Sequence, residues 1–371
     1  MFAKFFKAPT YSGGSWSTFQ NDFIYATDRI VSYEYTKRFS AVGNFSLVLP
    51  FDKELLAVLE INGTVYYDGD WLLIDTVRYD DKQIVISGKD CKGLLDLRIT
   101  SYYEQGVEGA EGYDVVSGTT AQCVKHYLDS NAISPTDAVR KLPIVWQSGA
   151  SGLASDSYMA RLEYLSEVIS NLCDGADIGY DVRGNMTGSG FKFALKSGVD
   201  RSFDQSTNDR ILFSEKWQNV KSISFEHSVS ELYNEIYAVD SNDRTSNVSR
   251  GSTPSHIQRR ECTVNVGVSS TDPETSGYFD KYALAQVEDN VETHSYTVDP
   301  SATGYGTDYD LGDKVTVIDR VTGNRFDAVI TEAVKSYSQG AQNITLSLGK
   351  QKKKPLQRIV NDLIGGVARR R

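Results

Sequence analysis

The sequence predicts a mainly β protein with an α/β insertion, an α+β multidomain chain. Three observations carry this. Stretches of β-branched and aromatic residues alternate with polar ones between turn residues. Two helical stripes lie in the middle of the chain, a third falls within Tyr278 to Val291, and a fourth closes its C-terminal end. At 371 residues the chain is too long for one ordinary core and divides into roughly two to four domains.

The first β signature runs from Gly69 to Leu95. Trp71-Leu72-Leu73-Ile74-Asp75-Thr76-Val77-Arg78-Tyr79 suits a pleated, half-buried surface and predicts a strand. Asp80-Asp81 can cap their own backbone in a turn, and Gln83-Ile84-Val85-Ile86-Ser87-Gly88 returns as a second strand. Lys89 to Leu97 then leaves the sheet as a short, leucine-anchored segment. Phe326 to Val334, a break at Ser338 to Gln342, and Ile344 to Lys350 repeat the pattern. Ile74-Asp75-Thr76-Val77 beside Ile330-Thr331-Glu332-Ala333-Val334 points to two copies of one β unit, against the alternative that any two hairpins look alike.

Residues 23–50 read as strands, with Phe39, Ala41, Phe45, Leu47 and Leu49 on one face and Gly43 marking a bulge or close approach. Asn62-Gly63 predicts a hairpin turn between strands at Leu56 to Ile61 and Val65 to Tyr67. Residues 1–100 thus form a first β domain, a twisted antiparallel sheet or small barrel completed by strands within 205–240. Residues 101–204 form an α/β insert. Thr119 caps a helix whose Ala121, Val124, Tyr127 and Leu128 share a face. A second helix aligns Leu162, Leu165, Val168, Ile169 and Leu172 and stops at Asp174-Gly175, the glycine taking the left-handed position. Strands follow at Ile178 to Val182 and Phe191 to Leu195. Residues 241–300 hold an exposed loop, Ser241 to Ser255, and a helix within Tyr278 to Val291. A second β domain occupies 301–350, opening with Leu311-Gly312-Asp313-Lys314-Val315.

Residues 351–371 form a basic amphipathic helix starting at Pro355. Leu356, Ile359, Val360, Leu363, Ile364 and Val367 make its apolar stripe, and Arg369 to Arg371 its basic end. Such a face binds a membrane surface or, more commonly, docks on a partner or a neighbouring copy, and partner docking is the reading adopted.

Composition narrows function. A net charge of −10 argues against a surface that wraps nucleic acid. No apolar run approaches the roughly 18 residues that cross a bilayer, and Met1 to Lys7 is too short for a signal-peptide core, so the product stays in the cytosol or leaves within an assembly or by lysis. Cys91, Cys123, Cys173 and Cys262 lie far apart, which disfavours a disulfide framework or a zinc knuckle. The 22 tyrosines suit surfaces that meet other surfaces or sugars, or simply a tyrosine-rich β protein.

No catalytic constellation stands above background. His126, His227, His256 and His294 are isolated in sequence. Asp308, Asp310 and Asp313 resemble a calcium loop faintly but run into a strand where further ligands belong, so they read as a turn. Gly13-Gly14 reads as flexible linker. Glu104, Glu108, Glu111, Asp204 and Asp209 are acids any acidic protein offers to glycan hydrolysis, and no G-x-S-x-G elbow is present. The sequence leads us to expect no catalytic residue, no metal and no cofactor.

Arg38 to Leu47, Gly69 to Ile74, Ile86 to Leu95 and Leu311 to Val315 together resemble the tail hub proteins of bacteriophages. The likeness is to hubs of long non-contractile tails, including the N-terminal part of tail-associated lysins, and spans most of residues 20–350. It implies a non-enzymatic homotrimer in which two related antiparallel β-barrel-like hub domains per chain form a pseudo-sixfold ring. That ring would join the sixfold tail tube above to a threefold tip, fibre, spike or receptor-binding component below, with the phage genome passing only in transit and no stable membrane insertion. The implied location is the virion tail tip, after assembly in the host cytoplasm. The alternative is a tail-associated cell-wall glycan hydrolase or a carbohydrate-binding host-recognition protein, using the loop around Glu104 to Glu111 or Ser241 to Ser255.

Overall fold

The computed structural model describes residues 2–100, 114–147, 149, 155–160, 162–186, 188–240, 242–250, 255–266, 270–271, 279–287, 292–300, 304–321, 323, 325–338, 340 and 341–349. The C-terminal stripe Leu356, Ile359, Val360, Leu363, Ile364 and Val367 lies outside these residues, as do Glu104, Glu108 and Glu111.

The N-terminal part holds strands β1 (Ala3–Phe6), β2 (Tyr11–Ser12), β3 (Ser15–Trp16), β4 (Phe23–Thr27), β5 (Ser32–Arg38), β6 (Asn44–Pro50), β7 (Thr64–Tyr67), β8 (Asp70–Tyr79) and β9 (Gln83–Asp90). Helices α1 (Phe19–Asp22) and α2 (Lys53–Val58) interrupt them. The β8–β9 hairpin turns where expected, because the Asp80 carboxylate accepts from the amides of Lys82 and Gln83, both at 2.8 Å. Gly13-Gly14 is the tight turn of the β2–β3 hairpin rather than a linker.

Two expectations fail here for identifiable reasons. Lys53–Val58 is helical, because Asp52 caps it by accepting from the amides of Glu54 and Leu55. Asn62, at φ 67°, therefore turns the chain from a helix into β7 and not between two strands. The predicted face from Phe39 to Leu49 is also divided. Phe45, Leu47 and Leu49 share one core with Tyr33 and Tyr35, while Phe39 enters another, because the chain turns a corner between β5 and β6. Gly43 sits in that corner, where a Cβ would lie 2.4 Å from the Thr36 carbonyl oxygen.

The middle of the chain adds β10 (Asp114–Thr119), α3 (Thr120–Leu128), β11 (Ile144–Trp146), β12 (Ser155–Ala160), α4 (Leu165–Gly175), β13 (Ile178–Gly184) and β14 (Phe191–Ser197). Thr119 and Gln122 form a reciprocal capping box at the start of α3. Leu162 does not join the α4 stripe; it precedes the helix at φ 53° and is half exposed. The left-handed residue after α4 is Asp177, at φ 54°, while Gly175 stays within the helix. The two helices bury their apolar faces with Phe191 and Phe193, and in the same core as Phe6, Phe19, Trp71 and Leu95 of the N-terminal part.

The remainder comprises β15 (Leu212–Phe213), β16 (Val220–Ser228), β17 (Glu235–Val239), β18 (Thr245–Ser249), β19 (Glu261–Asn265), α5 (Phe279–Gln286), β20 (Thr293–Pro300), β21 (Lys314–Ile318), β22 (Arg325–Ser338) and β23 (Ala341–Leu348). Part of the expected exposed loop at 241–255 is strand β18, which pairs with β17 and buries Val248. With β19 these strands carry α5 on a small core of Ile236, Ala238, Val248, Phe279 and Ala283. β15 pairs with β21 and β16 with β20, so neither lies beside the N-terminal strands they were expected to complete.

Among the described residues, thirteen strands form one sheet whose main path is β16-β20-β23-β22-β5-β6-β9-β8-β7-β1-β4, with β15 and β21 joined through β22. Two five-strand runs share one order within it. β5-β6-β9-β8-β7 and β16-β20-β23-β22-β21 correspond strand for strand, each with its late hairpin in the centre. A bulge falls at the same point of both. Ile74 faces Gly88 and Thr76 faces Ser87, skipping Asp75; Ile330 faces Leu348 and Glu332 faces Ser347, skipping Thr331.

Candidate assembly interface

The two runs meet edge to edge along β5 and β22. Seven consecutive residue pairs, from Arg38 opposite Glu332 to Ser32 opposite Ser338, join strands almost 300 positions apart. An antiparallel ladder fixes register wherever its faces differ in burial, and here they do: Tyr33, Tyr35 and Lys37 of β5 are all buried.

Charge pins this seam. The Arg38 guanidinium donates to Glu332 at 2.8 Å. The Asp70 carboxylate receives Lys37 Nζ on Oδ1 at 2.9 Å and Lys335 Nζ on Oδ2 at 2.8 Å, so β8, β5 and β22 share one buried acid. Burial alone pushes the Asp70 carboxyl up, but the two ammonium groups outweigh it and hold it below the usual carboxylate range. Burial likewise disfavours the Lys37 cation, and Asp70 overcomes this to raise it.

The β5–β6 corner is held from beneath. Fully buried Lys92 donates to the carbonyls of Arg38 and Ala41. The Asp90 carboxylate accepts from the Gly43 amide at 3.1 Å and the Tyr35 hydroxyl at 3.3 Å. Desolvation moves both groups toward neutrality, raising Asp90 and lowering Lys92.

Phe39 projects from the corner. Its amide donates to Thr331, and its carbonyl accepts from Tyr180 of the insert. A Cβ on Gly179 or on Gly312 would come within 2.4 Å of the Phe39 ring, so both backbones close on it. One aromatic side chain thus touches the insert and the second β run.

The acids and histidines considered from sequence go elsewhere. Asp310 receives Lys196 at 2.9 Å, and Asp313 receives Arg201 at 2.9 Å and the Val199 amide at 2.8 Å, so this segment ties the insert's exit to β21. Asp204 pairs with Arg325 at 3.0 Å. His126 meets Asp114 at 2.7 Å, and His227 meets Glu292. No cluster of three potential metal ligands occurs among the described residues. The seam residues Lys37, Asp70, Glu332 and Lys335 escaped the sequence reading, although Lys37 continues the period-two buried face of Tyr33 and Tyr35 and so signals a paired buried charge.

This is the fold of phage tail proteins. The 43 kDa tail protein of prophage MuSo2 from Shewanella oneidensis matches at TM-score 0.53 and 14% identity, over 96% of this chain and 97% of that one. The tail protein of Neisseria meningitidis MC58 matches at 0.52 and 14%, over 97% and 98%. A chain of the Francisella PdpA–VgrG complex matches at 0.51 and 10%, over 94% of this chain and 52% of that one. No curated protein matches in sequence. The chain belongs to the Siphovirus ReqiPepy6 Gp37-like protein family, whose pattern spans residues 22–249.

Proposed function

We propose that the protein is a structural hub of a phage tail tip, a homotrimeric adaptor between a sixfold tail tube and a threefold tip component. The observation that carries this is the repeat within the sheet: each chain presents two five-strand runs of one order, each bulged at the same point, joined edge to edge. Two equivalent positions per chain convert threefold symmetry into six similar positions, because heterologous interfaces close into rings when their rotation permits. The ring surrounds the path of the genome, and its two faces meet the tube above and a fibre, spike or receptor-binding component below.

The activity is assembly and not hydrolysis. Of the acids raised for glycan cleavage, Asp204 is held by Arg325 in an ion pair, an arrangement suited to structure. In this reading the stripe Leu356, Ile359, Val360, Leu363, Ile364 and Val367 docks on the next tip component. Light scattering on the purified full-length chain tests the trimer: three chain masses are expected, and a monomer at micromolar concentration overturns the reading. Deleting Pro355 to Arg371 is expected to leave trimers that fail to complete a tip, as seen by electron microscopy of particles.

A further inference from the structure

Resting on the trimer reading, we infer that the outer half of β8 in one copy pairs with β16 of the next, and that Arg78 and Glu226 face each other across that joint. The β5–β22 seam is the template. Registers carried through the equivalent strands fix the correspondence. Ile74 matches Ile330 at the bulges, and their partners Gly88 and Leu348 match in turn. Phe45, opposite Gly88, matches Tyr296, opposite Leu348. Tyr35, opposite Phe45, therefore matches Phe225, opposite Tyr296.

Within the chain, Tyr35 faces Lys335 and Thr36 faces Val334. Counting from the bulges, Lys335 corresponds to Tyr79 and Val334 to Arg78, while Tyr35 and Thr36 correspond to Phe225 and Glu226. The same seam built between copies sets Tyr79 opposite Phe225 and Arg78 opposite Glu226.

Neither pairing was chosen for its chemistry, yet both are complementary. Cross-strand aromatic pairs and opposite charges are the favourable partners on a sheet. Exposure agrees. Tyr79 is 62% and Phe225 44% exposed, whereas Tyr35, the counterpart of Phe225 inside the internal seam, is 2% exposed. Arg78 and Glu226 are exposed as well. Among the described residues β7 covers β8 only from Asp70 to Leu73, and β16 pairs with β20 alone. The occupant of each edge is thus the other edge on a second copy, and the contact is head to tail.

The test uses the full chain and reads mass in solution. Arg78→Glu and Glu226→Arg are each expected to weaken the trimer by about tenfold or more, since like charges then oppose, and the doubly reversed chain to regain it. Separately, Arg78→Cys combined with Glu226→Cys is expected to lock three chains covalently under mild oxidation, because directly opposed strand residues lie at disulfide-compatible separations. If both single reversals stay trimeric and no cross-link forms, the edge pairing is wrong while the trimer reading stands. If the unaltered chain is monomeric, the trimer reading fails and this joint with it.

Discussion

Lys335 of β22 donates to Asp70 of β8 at 2.8 Å, and the other oxygen of the same carboxylate holds Lys37 of β5. One acid with side-chain exposure of 8% therefore bridges two ammonium groups from both sides of the seam, and Asp68, 3.5 Å from Lys335, adds the second negative charge. Asp70→Asn leaves Lys37 without its buried counter-charge and Lys335 with only Asp68, 3.5 Å away, a change expected to cost about 3 kcal/mol or more. Urea unfolding of the variant measures it. Replacing Asp70, Lys37 and Lys335 together by apolar residues of similar size is expected to recover much of the loss, because the desolvation cost disappears with the charges.

Acid should reveal the same group. The folded Asp70 carboxyl titrates below its ordinary value, so its contribution is present above the unfolded value of about 3.9 and is lost as pH falls through the folded one. Stability curves of the parent chain and Asp70→Asn are expected to converge below about pH 4. A difference that stays constant from neutral pH into that range would show that Asp70 acts by packing and not by charge.

The legible parts of this fold were long runs rich in β-branched and aromatic residues between turn residues. β8, β9, β22 and β23 are such runs, each of eight or more residues, and the matching of Ile74 with Ile330 was visible because both lie in such strands. α2 was hidden because Lys53–Val58 is only six residues long, with Leu55 its single buried side chain; the signal was Asp52 in front of it. The seam was hidden for a different reason. Lys37, Asp70 and Lys335 are unremarkable singly, and only long-range pairing brings them together. The open edges at β8 and β16 became meaningful only once strand order was known.

His126 offers a pH dependence of opposite sign. Its hydrogen bond to Asp114 raises the imidazole above its ordinary value and ties α3 to β10. A raised folded value means the contribution is fully present below about pH 6.5 and is lost as pH rises through the folded value. His126→Gln is expected to destabilise more at about pH 6 than at about pH 9. Thermal melts at the two values decide it, and equal shifts would assign His126 a packing role alone.

Phe39 provides the test of how the insert and the second β run are fastened to the corner between β5 and β6. Its ring is 3% exposed and lies in the core that also holds Tyr309, Leu311 and Val315. Phe39→Ala removes a large buried ring that two glycine backbones approach closely, and is expected to cost about 3–5 kcal/mol. Gly312→Ala attacks the same contact from the other side. The residue has φ 92°, and its added Cβ would fall 2.3 Å from the ring. If the contact is what makes Gly312 necessary, combining the two substitutions is expected to cost less than the sum of the single effects, because the cavity left by the ring receives the new methyl group. Strict additivity in chemical denaturation would instead trace the Gly312 effect to backbone conformation and separate it from Phe39.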